Sequence, residues 1–212
     1  MNSVHQNIQT PDEIKNKTIA SIRRMKDFVE AEARKQEEAE KNNSIYVPAE
    51  APFLFVVRIR SANKCSPDVS TALDCLRLRN INTGTFVINN KSSKSLLQKV
   101  RAYVAFGNLS LETIRKLIYT RAFGKYNGKR VNITQELLEE KFGGSVETLE
   151  DIVEALFLGK RQDASAINKW LWPFRLSCPR KGFGGRKIKD FTEGGATGDR
   201  GRYLDELITR MI

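Results

Sequence analysis

The chain has 212 residues, 40% hydrophobic and 29% charged, enough for one domain with a real core plus extensions. Its formal charge of +11 and pI near 9.7 point to a polyanionic partner, nucleic acid ahead of an acidic membrane surface. Three cysteines with no close pair argue against a disulfide scaffold or a thiolate zinc site, and no apolar run approaches the roughly 18 residues that span a bilayer.

The opening MNSVHQNIQT lacks the charged start and apolar stretch of a signal peptide, and it holds the single histidine, His5. Thr10-Pro11-Asp12-Glu13 reads as a helix start with Thr10 as cap. Ile19, Ile22, Met25 and Val29 follow at helical spacing, and after them only alanines interrupt Glu, Lys and Gln. Pairs such as Lys26/Glu30, Arg34/Glu38 and Glu37/Lys41 suit an exposed helix lying across a partner or projecting from the body. Residues 1–50 hold 8 Lys/Arg against 9 Asp/Glu, so residues 51–212, with 28 against 16, carry the whole excess. Within residues 91–130 there are 10 basic residues and one acid, Glu112, and such clustering favours a binding face.

Asn42–Pro52 reads as a linker. Phe53–Ile59 is too apolar for a one-sided strand and suits a central one, with Arg58 and Arg60 at its end. Ser66-Pro67-Asp68 opens a helix with Val69, Ala72, Leu73 and Leu76 on one face, closed by Arg77, Arg79 and Asn80; Cys75 reads as a small buried residue within it. Asn82-Thr83-Gly84 turns into a strand at Thr85–Ile88. A helix then presents Leu96, Leu97, Val100, Tyr103 and Val104 inward.

Leu111–Tyr119 is a further helix, running into a basic loop, Arg121–Arg130, with a possible short strand at Val131–Ile133. Thr134 and Thr148 cap two more helices, the first ended by Phe142-Gly143-Gly144, and Trp170 and Trp172 read as core. Residues 180–202 read as a flexible, glycine-rich basic tail, followed by an amphipathic helix with Leu204, Leu207, Ile208 and Met211.

Enzymatic signals are poor. The body of the chain has no histidine, which removes Ser-His and Cys-His systems. Glu136, Glu139, Glu140, Glu147, Glu150, Asp151 and Glu154 read as solvated helix faces rather than a metal cage or acid/base pair. Gly182–Lys187 only loosely resembles a phosphate loop and lacks a Walker pattern. Nucleic-acid signals are better: clustered cations for phosphate, asparagines at strand ends including Asn80, Asn82, Asn89 and Asn90, and Phe123, Tyr126 and Phe183 amid basic residues, able to stack on bases or to pack locally.

Four blocks carry a resemblance: LRLRNINTGTFVINNKSSKSLLQKVRAYVAFG, LIYTRAFGKYNGKRVNIT, LWPFRLSCPRKG and FTEGGATGDR. In order and spacing they resemble the eukaryotic large-subunit ribosomal protein family called L-seven, the counterpart of bacterial L-thirty, over most of residues 51–212. The resemblance implies an α+β fold with a ferredoxin-like β-α-β-α-β core, an antiparallel three-stranded sheet with two helices on one face, a long N-terminal helix and helical additions. It divides the chain into an N-terminal helical extension and linker (1–50), the β-α-β-α part of an RNA-binding core (51–110), and additions, basic loops and a C-terminal helix (111–212). A strand near Ser145–Val146 is a further expectation.

By block, the family's rRNA-facing segments map to Arg77–Thr83, Arg121–Arg130 and Arg180–Lys187. The candidate RNA-binding residues are Arg77, Arg79, Asn80, Asn82 and Thr83 in the first, Arg121, Lys125, Tyr126, Lys129 and Arg130 in the second, and Arg180, Lys181, Arg186 and Lys187 in the third, with Lys91 and Lys94 beside them. No catalytic residue, metal or cofactor is implied. The implied partners are large-subunit rRNA and neighbouring large-subunit ribosomal proteins, with no membrane and no small-molecule substrate. The implied location is the cytoplasmic ribosome after nucleolar assembly. The family's N-terminal helix is strongly basic, whereas residues 1–50 are near neutral, so here that helix is expected against a neighbouring protein or a reduced RNA segment. Three functions compete: a structural constituent of the 60S subunit, a paralogous biogenesis factor acting on pre-60S rRNA, and an RNA-modifying or nucleotide-using enzyme.

Overall fold

The computed structural model describes residues 11–63, 65–159 and 163–212. The expected cap Thr10 lies outside them. Helix α1 (Pro11–Lys41) leads into a linker, then strand β1 (Phe53–Arg58), helix α2 (Pro67–Cys75), strand β2 (Thr83–Ile88), helix α3 (Lys91–Val100) and strand β3 (Val104–Gly107). Both β2 and β3 pair antiparallel with β1, which gives the expected three-stranded β-α-β-α-β core. Val104 opens a strand rather than closing the preceding helix: α3 stops at Val100, and the main-chain oxygen of Tyr103 accepts from the amides of Ile59 and Arg60.

The alternation of β1 explains its apolar character. Phe53, Phe55 and Val57 enter one buried cluster, and Val56 enters another on the opposite face, as strand geometry requires. The second cluster is closed by α2 and α3 through Ala72, Leu73, Leu76, Leu97 and Val100. Ser66 occupies the N-cap position of α2 in extended conformation but makes no side-chain cap bond, whereas Asn90 caps α3 by accepting from the Ser93 amide at 2.7 Å. Cys75 is the last residue of α2 and is exposed, not buried mid-helix, because it lies on the side turned from Leu73 and Leu76.

The additions close the other face. They comprise helix α4 (Leu111–Arg121), strands β4 (Gly124–Tyr126) and β5 (Lys129–Val131), helices α5 (Gln135–Phe142), α6 (Leu149–Leu158) and α7 (Ala164–Trp170), strand β6 (Phe174–Arg175), strands β7 (Arg186–Asp190) and β8 (Gly195–Gly201), and helix α8 (Leu204–Met211). The larger cluster gathers Leu117, Ile118, Ile152, Leu156, Ile167, Leu207 and Ile208 against Phe55 and Phe86. Phe55, Phe86 and Phe174 meet edge to face at 4.9–6.0 Å between centroids.

Several corrections follow from this packing. The core sheet grows to six strands, in the order β6-β2-β1-β3-β8-β7, and β8 runs parallel to β3. Residues 180–202 are therefore largely sheet rather than a flexible tail; Arg200 is buried there, donating to the main-chain oxygens of Phe183 and Ala196 at 2.8 and 2.9 Å. No strand forms at Ser145–Val146, where the chain turns into the Thr148 capping box of α6.

The acids at and just before α6 are a further correction. Glu147, Glu150, Asp151 and Glu154 are buried, not solvated, because α1 and α4 pack on both sides of α6. Lys17 reaches Glu147 at 3.0 Å, Ser21 donates to Asp151 at 3.2 Å, and Arg24 reaches Glu154 at 2.8 Å. Arg115 grips Glu150 with two donors at 2.9 and 3.1 Å. Glu136, Glu139 and Glu140 of α5 are exposed, as read from the sequence. Along the stripe of α1 only Met25 is fully buried; Ile22 is half-buried, and Ile19 and Val29 stay exposed. The helix carries the ion pairs Lys15–Asp12, Lys35–Glu32 and Arg34–Glu30 on its exposed surface.

Candidate nucleic-acid interface

A turn is the first wall of the site. Arg58, buried at the end of β1, donates to the main-chain oxygens of Leu78 and Arg79 and so holds the loop between α2 and β2. Arg77 and Asn82 flank this loop with φ of 60° and 58°, in the left-handed region. The Arg77 guanidinium points into the protein: it donates to the main-chain oxygens of Asn168 and Leu171, each at 3.0 Å. Burial lowers its pKa from the usual arginine range, so it is a clasp between the turn and the end of α7. Arg79 and Asn80 remain exposed on the turn, Arg79 with Asp74 at 3.4 Å.

A hairpin is the second wall. What the sequence presents as a basic loop is the antiparallel pair β4–β5, turned at Asn127-Gly128 with φ of 46° and 74°. Asn-Gly between short strands is a strong hairpin signal, and it was available in the sequence. The strand expected at Val131–Ile133 lies earlier, at Lys129–Val131. Lys125, Tyr126, Lys129 and Arg130 are all exposed on it. The Arg130 guanidinium stacks 3.5 Å from the Phe123 ring centroid; burial, then the charge of Arg175, lowers its pKa.

The third wall follows α7. Trp172 donates its amide to the Phe123 oxygen at 2.8 Å, and β6 pairs with the start of β2 through Thr83↔Arg175. Together the walls enclose an open cleft of about 460 Å³ lined by Arg77, Arg79, Asn80, Thr83, Lys125, Lys169, Trp172, Pro173 and Arg175, with Asp74 as its acid. Lys169, Trp172 and Arg175 were not among the candidates. Trp170 is core, edge to face with Phe142 at 5.5 Å, but Trp172 is only half-buried. Their different fates turn on which side of the chain faces α5.

Five candidates thus share one cleft: Arg77, Arg79, Asn80, Thr83 and Lys125. Others lie apart. Arg186 and Lys187 sit on β7, the opposite edge of the sheet from β6. Arg180 and Lys181 are exposed before it, and Lys187 lies 4.4 Å from the ring centroid of Phe183, which is itself buried and therefore packs. Gly182–Lys187 leads into a strand, not from a strand into a helix. Arg121 donates to Ser177 at 3.0 Å and to the main-chain oxygen of Ile212 at 2.6 Å. Asn82 is half-buried, Lys91 is exposed, and Lys94 pairs with Glu50 at 2.7 Å beside a second hollow that also contains Arg101. Asn89 donates to Glu50 and to the Ala51 oxygen.

Among the described residues no group of three or more His, Cys, Asp or Glu is placed to hold a metal ion, and no helix is long and apolar enough to cross a membrane. Fold and surface define an α+β protein with many exposed cations on a small sheet-and-helix unit, several of them converging on one cleft.

The family model described as ribosomal protein L30p/L7e matches residues 54–104, from β1 to the first residue of β3. The large ribosomal subunit protein uL30 of Encephalitozoon cuniculi is 41% identical over 170 residues, 80% of this chain and 71% of its own length. Proteins of the same name from Candida albicans and Neurospora crassa are 36% and 35% identical, covering 88% and 90% of this chain and 79% and 77% of theirs. The chain belongs to the L30p/L7e (uL30) ribosomal protein family.

Proposed function

We propose that this chain is a structural constituent of the large subunit of the cytosolic ribosome, binding rRNA without catalysing a reaction. Its relatives carry the name large ribosomal subunit protein over most of both chains, and the observation that carries the mechanism is the convergence of Arg79, Lys125, Lys169 and Arg175 on one cleft. Cations held on rigid turns and strands neutralise phosphate at fixed spacing, which is how a non-enzymatic protein fixes RNA shape.

In this reading Arg79, Asn80, Lys125, Tyr126, Lys129 and Arg130 form the principal face, and Arg180, Lys181, Arg186 and Lys187 form a second contact at the far sheet edge. Lys91 and Lys94 extend the surface near α3. Arg77, Asn82, Thr83 and Arg121 position these groups from within. The exposed face of α1, nearly balanced in charge, suits a neighbouring ribosomal protein better than phosphate. Assembly takes place in the nucleolus and function in the cytoplasm.

Sucrose-gradient fractionation of cells expressing the tagged chain tests this reading. The protein is expected with mature large subunits and translating ribosomes. Recovery only with nuclear precursor particles would replace the reading with that of an assembly factor.

A further inference from the structure

The cleft between the Arg77–Thr83 turn, the β4–β5 hairpin and the segment after α7 is not uniformly charged. Its cations Arg79, Lys125, Lys169 and Arg175 are exposed, while Trp172 and Pro173 supply a half-buried apolar lining. Trp170, two residues earlier, is taken up by the core; Trp172 is left to the cleft. An indole among cations is the arrangement that receives a nucleobase, because every base offers a π-face and brings phosphates with it.

We propose that this cleft captures one unpaired, splayed nucleotide of an RNA strand, with the base stacked on Trp172 and the adjoining phosphates held by Arg79, Lys125 and Arg175. The inference deepens the rRNA-binding reading and rests on it. A volume of about 460 Å³ lies in the range of sites for single small ligands and is too small for a helix. A duplex keeps its base faces stacked within itself and offers this cleft only backbone. Asn80, exposed on the rim, supplies an amide for a base edge. The walls are set before binding: Arg77 ties the turn to α7, and the Trp172 amide ties the third wall to the hairpin base.

The test uses the intact chain, a short single-stranded oligoadenylate and a blunt RNA duplex of equal length, read by tryptophan emission and by affinity. The single strand is expected to quench wild-type emission. Trp172→Leu should abolish that quench and weaken single-strand binding by about 5- to 150-fold, with duplex binding unchanged. Trp172→Phe, which keeps a ring, should recover most of the affinity, and matched thermal melts check that both variants fold. Quenching that persists in Trp172→Leu, an equal loss for both RNAs, or no recovery in Trp172→Phe would each overturn the capture. Duplex binding with no quench by the single strand overturns the capture and leaves the rRNA reading intact. Failure to bind either RNA, together with absence from large subunits, overturns both.

Discussion

Single arginines in this chain divide into those that build and those that face solvent. Arg58, Arg77 and Arg200 donate to main-chain oxygens and are buried or half-buried, whereas Arg79, Arg130, Arg175 and Arg186 are exposed. Arg77→Ala removes two bonds at 3.0 Å to the end of α7 and is expected to cost about 1–3 kcal/mol in a urea melt, with Arg77→Lys recovering only part, since one ammonium cannot span both oxygens as the planar fork does. Tyr119 supplies a pH effect. Its phenol is held above the usual range near 10, first by burial and then by the charge of Glu150, to which it donates at 3.0 Å. A raised folded-state value means the contribution is fully present below about pH 10 and is lost as pH rises through the folded value. The ultraviolet titration of the wild type minus that of Tyr119→Phe should therefore show one phenol ionising above the normal range, and the alkaline loss of stability should be smaller in the variant. Residue type alone did not separate these roles: Arg77 and Arg79 look alike in sequence, but the end of α7 offers main-chain oxygens to Arg77 while Arg79 stays exposed.

Elements show where local signals suffice. The α8 stripe of Leu204, Leu207, Ile208 and Met211 and the capping box of Thr148 and Asp151 formed as periodicity and capping chemistry predict. Glu147 and the acids of α6 did not follow their local pattern, because α1 and α4 bring Lys17, Arg24 and Arg115 to them from distant parts of the chain. Thus α1 docks on the body from Lys17 to Phe28, where Met25 enters the core and Phe28 meets Phe157 edge to face at 5.9 Å. Met25→Ala is expected to destabilise by about 2–5 kcal/mol, with hydrogen exchange rising along α1 before the sheet is affected. At the hairpin, a Cβ on Gly124 would come within 2.4 Å of the buried Trp170 ring. Gly124→Ala should cost about 1–3 kcal/mol and shift the hairpin away from the cleft, weakening RNA binding although no cation is removed. Thermal melts and filter binding check both parts.

The molecule as a whole is electrically divided. Residues 51–212 carry the positive excess and residues 1–50 are near neutral, so the body and not the long helix is expected to set the salt dependence of RNA binding. Replacing Lys125, Lys129 and Arg130 together with Gln should flatten the slope of log affinity against log salt by up to about three counterions' worth, each contact contributing about 0.7–0.9. Replacing Lys26 and Arg34 on the exposed face of α1 should leave that slope unchanged, as measured by titrations across a salt series.

By itself the sequence determined the strand–helix–strand–helix order that opens the core, the helical stripes and the clustering of charge, because apolar periodicity, caps and composition are local properties of the chain; the third strand followed from the family resemblance, while periodicity had placed Val104 in a helix. Tertiary structure alone decided that residues 180–202 join the sheet, that Glu147 and three acids of α6 are buried, and that Lys169, Trp172 and Arg175 meet Arg79 and Lys125 at one cleft. Burial and convergence are set by what distant segments bring to a residue: Thr83 of β2 and Arg175 of β6 lie far apart in the chain and become neighbours only when the two strands pair.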